Sequence, residues 1–567
     1  MKKRLLALVL AAVMGLMTAC GGGTSSTAAP AASGGDGSSA GTAAPAGDTS
    51  AILGQTSEVS NLNPLVQPRA VDSNATCMIF GCLVIPDEEI NYVGDLAENW
   101  DVSEDGCTYT FHLKKDVKWH DGEPFTANDV AFTYTSLAAP TYTGGCESRV
   151  LDVVGAAAYQ AGEADAIEGI QVIDDHTIAF TLNEPNAAFI GNCYTCILPE
   201  HLLKDVDPAD WATCDFNRSP VGTGKYKFVK WESGQYIEME ANSDYYGEAP
   251  KIGHVFLRFG DETTLTAALI NGEIDALYNM SASELETLEA MDGVHAELYD
   301  QMTVYYIGLN LNVDSLSDLR VRQALSYGID KQAIVNTVYG ETGFVTDSIF
   351  PASNWTYSDD VTKYPYDPEK AKSLLEEAGY TMNASSGYFE KDGKTLHLTY
   401  DLVTGVDGNQ VAALVQQQWK AIGVEMEVIE QDFSTLAFTK LFPSDDAGQP
   451  RFTTADDFQC YTLGFGQEAD PDEYRPYLST ATAPGSWNFV DYSNEKVDEL
   501  FLKQLTATNQ EERAAAYHEI GKIISEDIPW IPLYGKKTIA GVSDKIEGFA
   551  ADYRGFTFQI EKWSKVA

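Results

Sequence analysis

The chain has 567 residues and a formal net charge of −47, from 37 Lys+Arg against 84 Asp+Glu. A surface that acidic repels nucleic acid and anionic lipid headgroups and excludes both as electrostatic partners. With 44% hydrophobic and 11% aromatic residues there is ample material for a core, and the length exceeds the roughly 250–300 residues at which one core stops growing, so two or more packed units are expected.

At the N-terminus, Met1-Lys-Lys-Arg4 is a basic lead and Leu5 to Met17 an apolar run. That run is shorter than the ~20 residues a membrane span needs but fits the core of a secretory signal. It ends in Met17-Thr-Ala-Cys20, followed by glycines. Small residues before such a cysteine resemble the lipobox of bacterial lipoproteins, with Met17 where leucine is usual. The resemblance implies a signal peptide over residues 1–19 and a lipid on Cys20, anchoring an extracytoplasmic protein to the cell membrane. Loss of Lys2, Lys3 and Arg4 would take the charge from −47 to −50. Residues 20–50 continue as Gly, Ser, Thr, Ala and Pro with nothing to build a core. They form an expected flexible tether, about 30 Å end to end as a coil. No other segment is long and apolar enough to span a bilayer.

Setting Cys20 aside leaves Cys77, Cys82, Cys107, Cys146, Cys193, Cys196 and Cys214 clustered before residue 215, with Cys460 apart. An exported chain permits disulfides, so bridges or buried thiols are expected, with the pairing open. Cys193-Tyr-Thr-Cys196 has metal-ligand spacing but lacks the second pair a zinc site wants, so no metal is assigned.

From Ala51 onward strands and helices interleave. "TYTFHLKKDVKW" alternates as a strand, Asp121-Gly122 supplies a turn, and Thr126-Ala-Asn-Asp129 has the form of a capping box opening a helix. This matters because "KWHDGEPF", Lys118 to Phe125, gathers a histidine and two carboxylates like an acid–base kit. Each polar residue there has a structural task and no nucleophile is near, so a corner is expected rather than an active site. "IEGIQVIDDHTIAFTL" predicts two strands around Asp174-Asp175. Ser317 is placed to cap a helix carrying Leu319, Arg322, Gln323 and Ser326. Asp367, Pro368 and Gly379 punctuate another as N-cap, first turn and stop. "NQEERAAAYHEIGKIISEDIPW" is an amphipathic helix halted by Pro529. A mixed α/β chain without internal repeat follows.

The stretch from Leu96 to Tyr134 closely resembles the signature of the peptide- and nickel-type solute-binding proteins of ABC importers, extracellular family 5. Further blocks match in the family's order: "NLNPL" at Asn61–Leu65, "SPVGTGKYKFVKWESG" at Ser219–Gly234, the segment Gly308–Val335, Tyr366–Tyr380, and Tyr492–Tyr534. Lys225 stands where the family usually has proline. The likeness covers most of residues 51–567. It implies an α/β, two-lobe periplasmic-binding-protein-like fold (type II, cluster C-like) with a subdomain inserted in lobe one. Lobe one would take 51–70, 217–303 and 529–567, the inserted subdomain 71–216, and lobe two 304–528. Two crossings join the lobes, near Val304–Asn310 and Pro529–Tyr534, and ligand contacts made to both lobes favour the closed state.

The function implied is a monomeric receptor that needs no cofactor. It captures di- or oligopeptides, delivers them to permease and ATPase subunits, and does no chemistry on them. Alternatives are nickel or another non-peptide solute, a sensor or adhesin reusing the fold, and a secreted hydrolase. For the last, Ser493-Asn-Glu-Lys496 lacks companion motifs and His518-Glu519 lacks the second histidine of H-E-x-x-H. "YTLGFGQEADPDEY", from Tyr461, resembles the family's G-W-x-x-D-x-x-x-P loop, in which an aspartate meets the ligand's α-ammonium. Phe465 takes the tryptophan position. The loop is one residue shorter, so the aspartate position falls on Gln467 or Glu468. Tyr305, Tyr306 and Tyr534 lie where cleft tyrosines occur. Phe433, Trp487 and Asn488 are further ligand candidates, and Asp470-Pro471 is expected to shape the loop.

Overall fold

The computed structural model describes residues 50–566, apart from Pro68, Asp446, Glu468, 475–486 and Thr508. The leader, the tether and Cys20 therefore lie outside the described residues. None of the described helices is long and apolar enough to cross a membrane.

Two sheet regions meet along one strand. Trp530–Ser543 is unusually long, and its C-terminal half pairs with Ala276–Met280 and Val294–Asp300. Its N-terminal half pairs with Thr303–Leu309 and Gly343–Val345. On the first side, Ser50–Gln55 lies parallel to both Ala276–Met280 and His254–Phe259, and the sheet continues through Tyr236–Ala241 to Tyr226–Glu232. On the other, Thr303–Leu309 pairs with Cys460–Gly466, which touches His397–Val403, itself parallel to Glu425–Gln431. A separate four-stranded sheet, including Thr108–Leu113 and Thr177–Thr181, belongs to the region between residues 97 and 181. Its core residues (Phe111, Tyr134, Phe180) are continuous with those of the first sheet (Leu53, Val255, Val542). The second lobe has its own cores on the two faces of its sheet.

Local signals behave as their chemistry dictates. Thr126 and Asp129 form the full capping box of helix Ala127–Leu137. Asp367 caps Pro368–Glu377, whose Ala371, Leu374 and Leu375 are buried at helical spacing, and Gly379 follows in the left-handed region at φ +91°. One cap moves. Asp318, not Ser317, accepts from the Arg320 N–H to start Leu319–Tyr327, while Ser317 Oγ donates back to Asp314 O (2.8 Å). The carboxylate is one residue nearer the helix and also pairs with the Arg320 side chain.

"KWHDGEPF" is a corner that locks a distant loop. The Gly222 N–H donates to His120 Nδ1 (3.3 Å), which leaves Nε2–H to donate to Gly224 O (3.0 Å). Asp121 accepts from the Glu123 N–H and pairs with His201. The same Gly-Thr-Gly block presses on the end of helix Ala70–Ile79. Gly224 N–H donates to Ile79 O (2.8 Å), and a Cβ on Gly222 would stand 1.9 Å from that oxygen. Both glycines are thus required by close approach.

Burial pushes the His120 pKa down to about 4 from 6.5. The unfolded chain takes up this proton below about pH 6.5, the folded one not until about pH 4, so stability falls as pH is lowered through that window. Between pH 7 and 5 the loss from this group is about 2 kcal/mol. Urea unfolding at both pH values, with His120→Gln as comparison, checks it: the variant loses this part of the pH dependence.

Candidate ligand-binding site

The strand pair Thr303–Leu309 and Cys460–Gly466 is built from tyrosines lying on glycines. Tyr305 stands opposite Gly464 and Gly308 opposite Tyr461. A Cβ on Gly464 would come within 2.6 Å of the Tyr305 ring, and one on Gly308 within 2.3 Å of the Tyr461 ring. Each ring fills the space its cross-strand glycine leaves.

Alternation along these strands sorts the candidate residues onto two faces. Tyr305 stacks on Tyr534 at 4.9 Å and 12°. Tyr534 accepts from the Tyr339 hydroxyl (2.9 Å), and Lys536 Nζ sits 4.4 Å over the Tyr305 ring. On the opposite face Tyr306 and Phe465 are buried with Tyr461 and Phe489, and Phe433 and Trp487 pack half-buried against that cluster. Trp487 makes edge contact with Phe442 at 4.9 Å. Asn488 Nδ2 donates to Tyr492 O and its Oδ1 accepts from the Tyr492 N–H, which closes its own loop.

Past the 401–461 position, where His397–Val403 stops pairing, the outer edge of strand 462–466 carries no partner strand among the described residues. Gly464 and Gly466 are exposed along it. At its end the Gln467 N–H donates to Met302 O (2.6 Å), while the residue is 7% exposed. Both Oε1 and Nε2 of that side chain are buried without a hydrogen-bond partner among the described residues. A primary amide offers two donors and two acceptor positions, so leaving it unmatched costs the fold. Glu468 lies outside the described residues.

The loop beyond is clamped. Asp470 accepts two hydrogen bonds from Arg513, at 2.6 and 2.9 Å. Arg513 Nε donates to Gln504 Oε1 (2.9 Å), whose Nε2 donates to Asp472 Oδ1 (2.9 Å). Burial opposes the Arg513 charge, but the Asp470 carboxylate outweighs burial and holds the guanidinium above its ordinary value. Asp470 is thus committed to the loop's own structure. The loop also meets residues from the 90–191 region: a Cβ on Gly191 would be 2.9 Å from Asp470 Cβ, the Ala187 N–H donates to Leu505 O (2.7 Å), and Ile90, Met302 and Ala469 pack together. A cavity of about 600 Å³ lies between the two sides, with Tyr92, Trp100, Tyr109 and Trp355 on its walls beside Asp470 and Arg513. Its size is that of a small-molecule or short-peptide site.

The sequence passed over Arg513, Gln504, Lys536 and Tyr339. For Arg513 a signal existed: it shares the buried stripe of helix Gln510–Asp527 with Ala516, Tyr517 and Ile520, and a cation on such a stripe needs a buried partner.

The family model of bacterial extracellular solute-binding proteins, family 5 (middle region), matches residues 91–487. The chain belongs to this family. The oligopeptide-binding protein AppA of Bacillus subtilis is 29% identical over 577 residues, which span 99% of both chains. The structure of AppA with a nonapeptide superposes at a TM-score of 0.69, with 28% identity, over 91% of this chain and 99% of that one. NikZ of Campylobacter jejuni, solved with Ni(L-His), superposes at 0.71, with 28% identity, over 92% of this chain and all of that one. This solute-binding protein therefore has the two-lobe α/β fold and works outside the cytoplasm. The proteins it resembles bind solutes rather than transform them.

Proposed function

We propose that this protein captures peptides for an ABC importer. An extended peptide adds as a strand along the open edge at 462–466, where main-chain hydrogen bonds are indifferent to side-chain identity. The open strand edge at 462–466, exposed at Gly464 and Gly466, is the observation that carries the reading, and the buried Gln467 amide at its end meets the ligand's terminal polar group once movement of the lobes uncovers it. Glu468, the next residue, supplies the charge when that group is an ammonium. Tyr306, Phe465, Phe433 and Trp487 form one apolar wall, and Tyr305 with Tyr534 stiffens the crossing. Asn488 shapes the loop behind them. The domain bounds follow those in the family, with lobe two over 304–528. Ligand contacts to both lobes favour closure, and release to permease and ATPase subunits follows opening. The oligopeptide specificity of AppA, seen also in its structure with a nonapeptide, supports the peptide reading. Cys20 carries the lipid that holds the monomer at the membrane, and no covalent chemistry on the ligand is involved.

Native mass spectrometry of the purified chain tests this. Retained short peptides are expected. A retained metal–amino-acid complex, or time-dependent hydrolysis of a peptide library, overturns it.

A further inference from the structure

Cys82 and Cys196 stand opposite each other as an isolated antiparallel bridge, 114 residues apart in sequence, with their Sγ atoms 3.8 Å apart. The backbone around them is pinned. Cys82 N–H donates to Asp95 Oδ2 (2.8 Å), Leu96 N–H to Cys82 O (2.8 Å), and Ile197 N–H to Gly81 O (3.0 Å). Directly opposed residues in an antiparallel pair have Cβ atoms about 4.5–5.5 Å apart, and a disulfide wants about 3.5–4.5 Å. A side-chain rotation with a small approach of the two chains closes the gap.

The two thiols are unequal. Cys82 is buried and Cys196 only half-buried. Arg149 donates to Tyr194 O (3.0 Å) and Thr195 Oγ1 (2.9 Å), which sets its guanidinium beside the segment carrying Cys196. The hydrogen bond from Cys82 pulls the Cys196 thiol below its usual pKa against burial, with help from the Arg149 charge. The same hydrogen bond, joined by burial, pushes Cys82 up. The less buried of the two residues therefore also carries the better nucleophile.

We propose that Cys82 and Cys196 form a disulfide in the exported protein. The Cys196 thiolate attacks one sulfur of a disulfide oxidant, either an extracytoplasmic thiol–disulfide oxidoreductase or a small-molecule disulfide, and expels its other sulfur as a thiolate. Cys82 then gives up its proton, and its sulfur attacks Cys196 Sγ and releases the second oxidant thiol. Two protein thiols are oxidised, and their two electrons and two protons leave with the oxidant as two thiols. The bond ties the start of the inserted region to its end. It holds the segment following helix Phe189–Asn192, whose Gly191 faces Asp470 of the other lobe.

The experiment uses the full chain treated with oxidised glutathione, then denatured, alkylated and mapped by mass spectrometry. A Cys82–Cys196 cross-linked peptide is expected, together with a melting temperature several degrees above that of the reduced protein. Cys82→Ser should abolish both the cross-link and the sensitivity of the melting temperature to reductant. If that variant fails to fold, the wild-type map with and without reductant decides alone. Alkylation of both residues after oxidation overturns the proposal, as does a bond from Cys196 to Cys77, whose thiol is instead held by Thr557 (3.2 Å).

Discussion

Arg513→Ala is expected to cost the folded protein about 3–5 kcal/mol, the usual result of stripping one member from a buried ion pair. The side chains of Arg513 and Asp470 are 7% and 10% exposed. Removing the guanidinium leaves the Asp470 carboxylate buried and unpaired and frees Gln504 Oε1 as well. Loss of ligand affinity accompanies the instability, because the loop after Gln467 is held in place through Asp470 and Asp472. The two effects separate in the double variant Arg513→Met, Asp470→Leu. Apolar replacement of both partners is often neutral or stabilising, so stability should return while capture stays weak for want of the directional clamp. Chemical denaturation paired with calorimetric ligand titration reads both. A single variant within about 1 kcal/mol of the parent would mean that solvent already screens this pair.

The clamp also marks how far the sequence was readable. Caps and stops at Thr126, Asp129 and Asp367 were legible because their partners lie within three residues. Ser317 was misplaced by one residue, since hydroxyl and carboxylate both cap and only packing chooses between them. Arg513 sat visibly on a buried stripe, but its partner is 43 residues away. His120 was read as structural from its corner alone, while the contacts it makes, pinning Gly222 and Gly224, depend on residues 102 and 104 positions downstream. Period two places Tyr305 and Tyr306 on opposite faces from sequence alone. Which face fills which core came from the sheet order, which no local pattern encodes. At the loop, a one-residue shortening left Gln467 and Glu468 interchangeable by alignment. The burial of Gln467 with both amide atoms unmatched is a tertiary fact.

That amide makes stability and function move in opposite directions. Gln467→Met keeps an unbranched side chain of similar length and deletes two unmatched polar atoms, so the ligand-free protein should gain about 1–3 kcal/mol. The same change removes the groups that the ligand satisfies, and affinity should fall by about 2–4 kcal/mol, roughly 30- to 1000-fold. Gln467→Glu refines the picture. A buried carboxylate lowers the stability of the free protein but should favour peptides with a free amino terminus over their N-acetylated counterparts. Thermal unfolding without ligand, set beside titration with both peptide forms, measures each sign separately. If Gln467→Met gains stability with affinity unchanged, the amide is an unmatched group of the loop and the ligand lies elsewhere along the cleft. If it loses both, the amide has a structural partner in the free protein. A gain in one with a loss in the other fits an amide kept unmatched for the ligand, the usual trade of stability against function at a binding site.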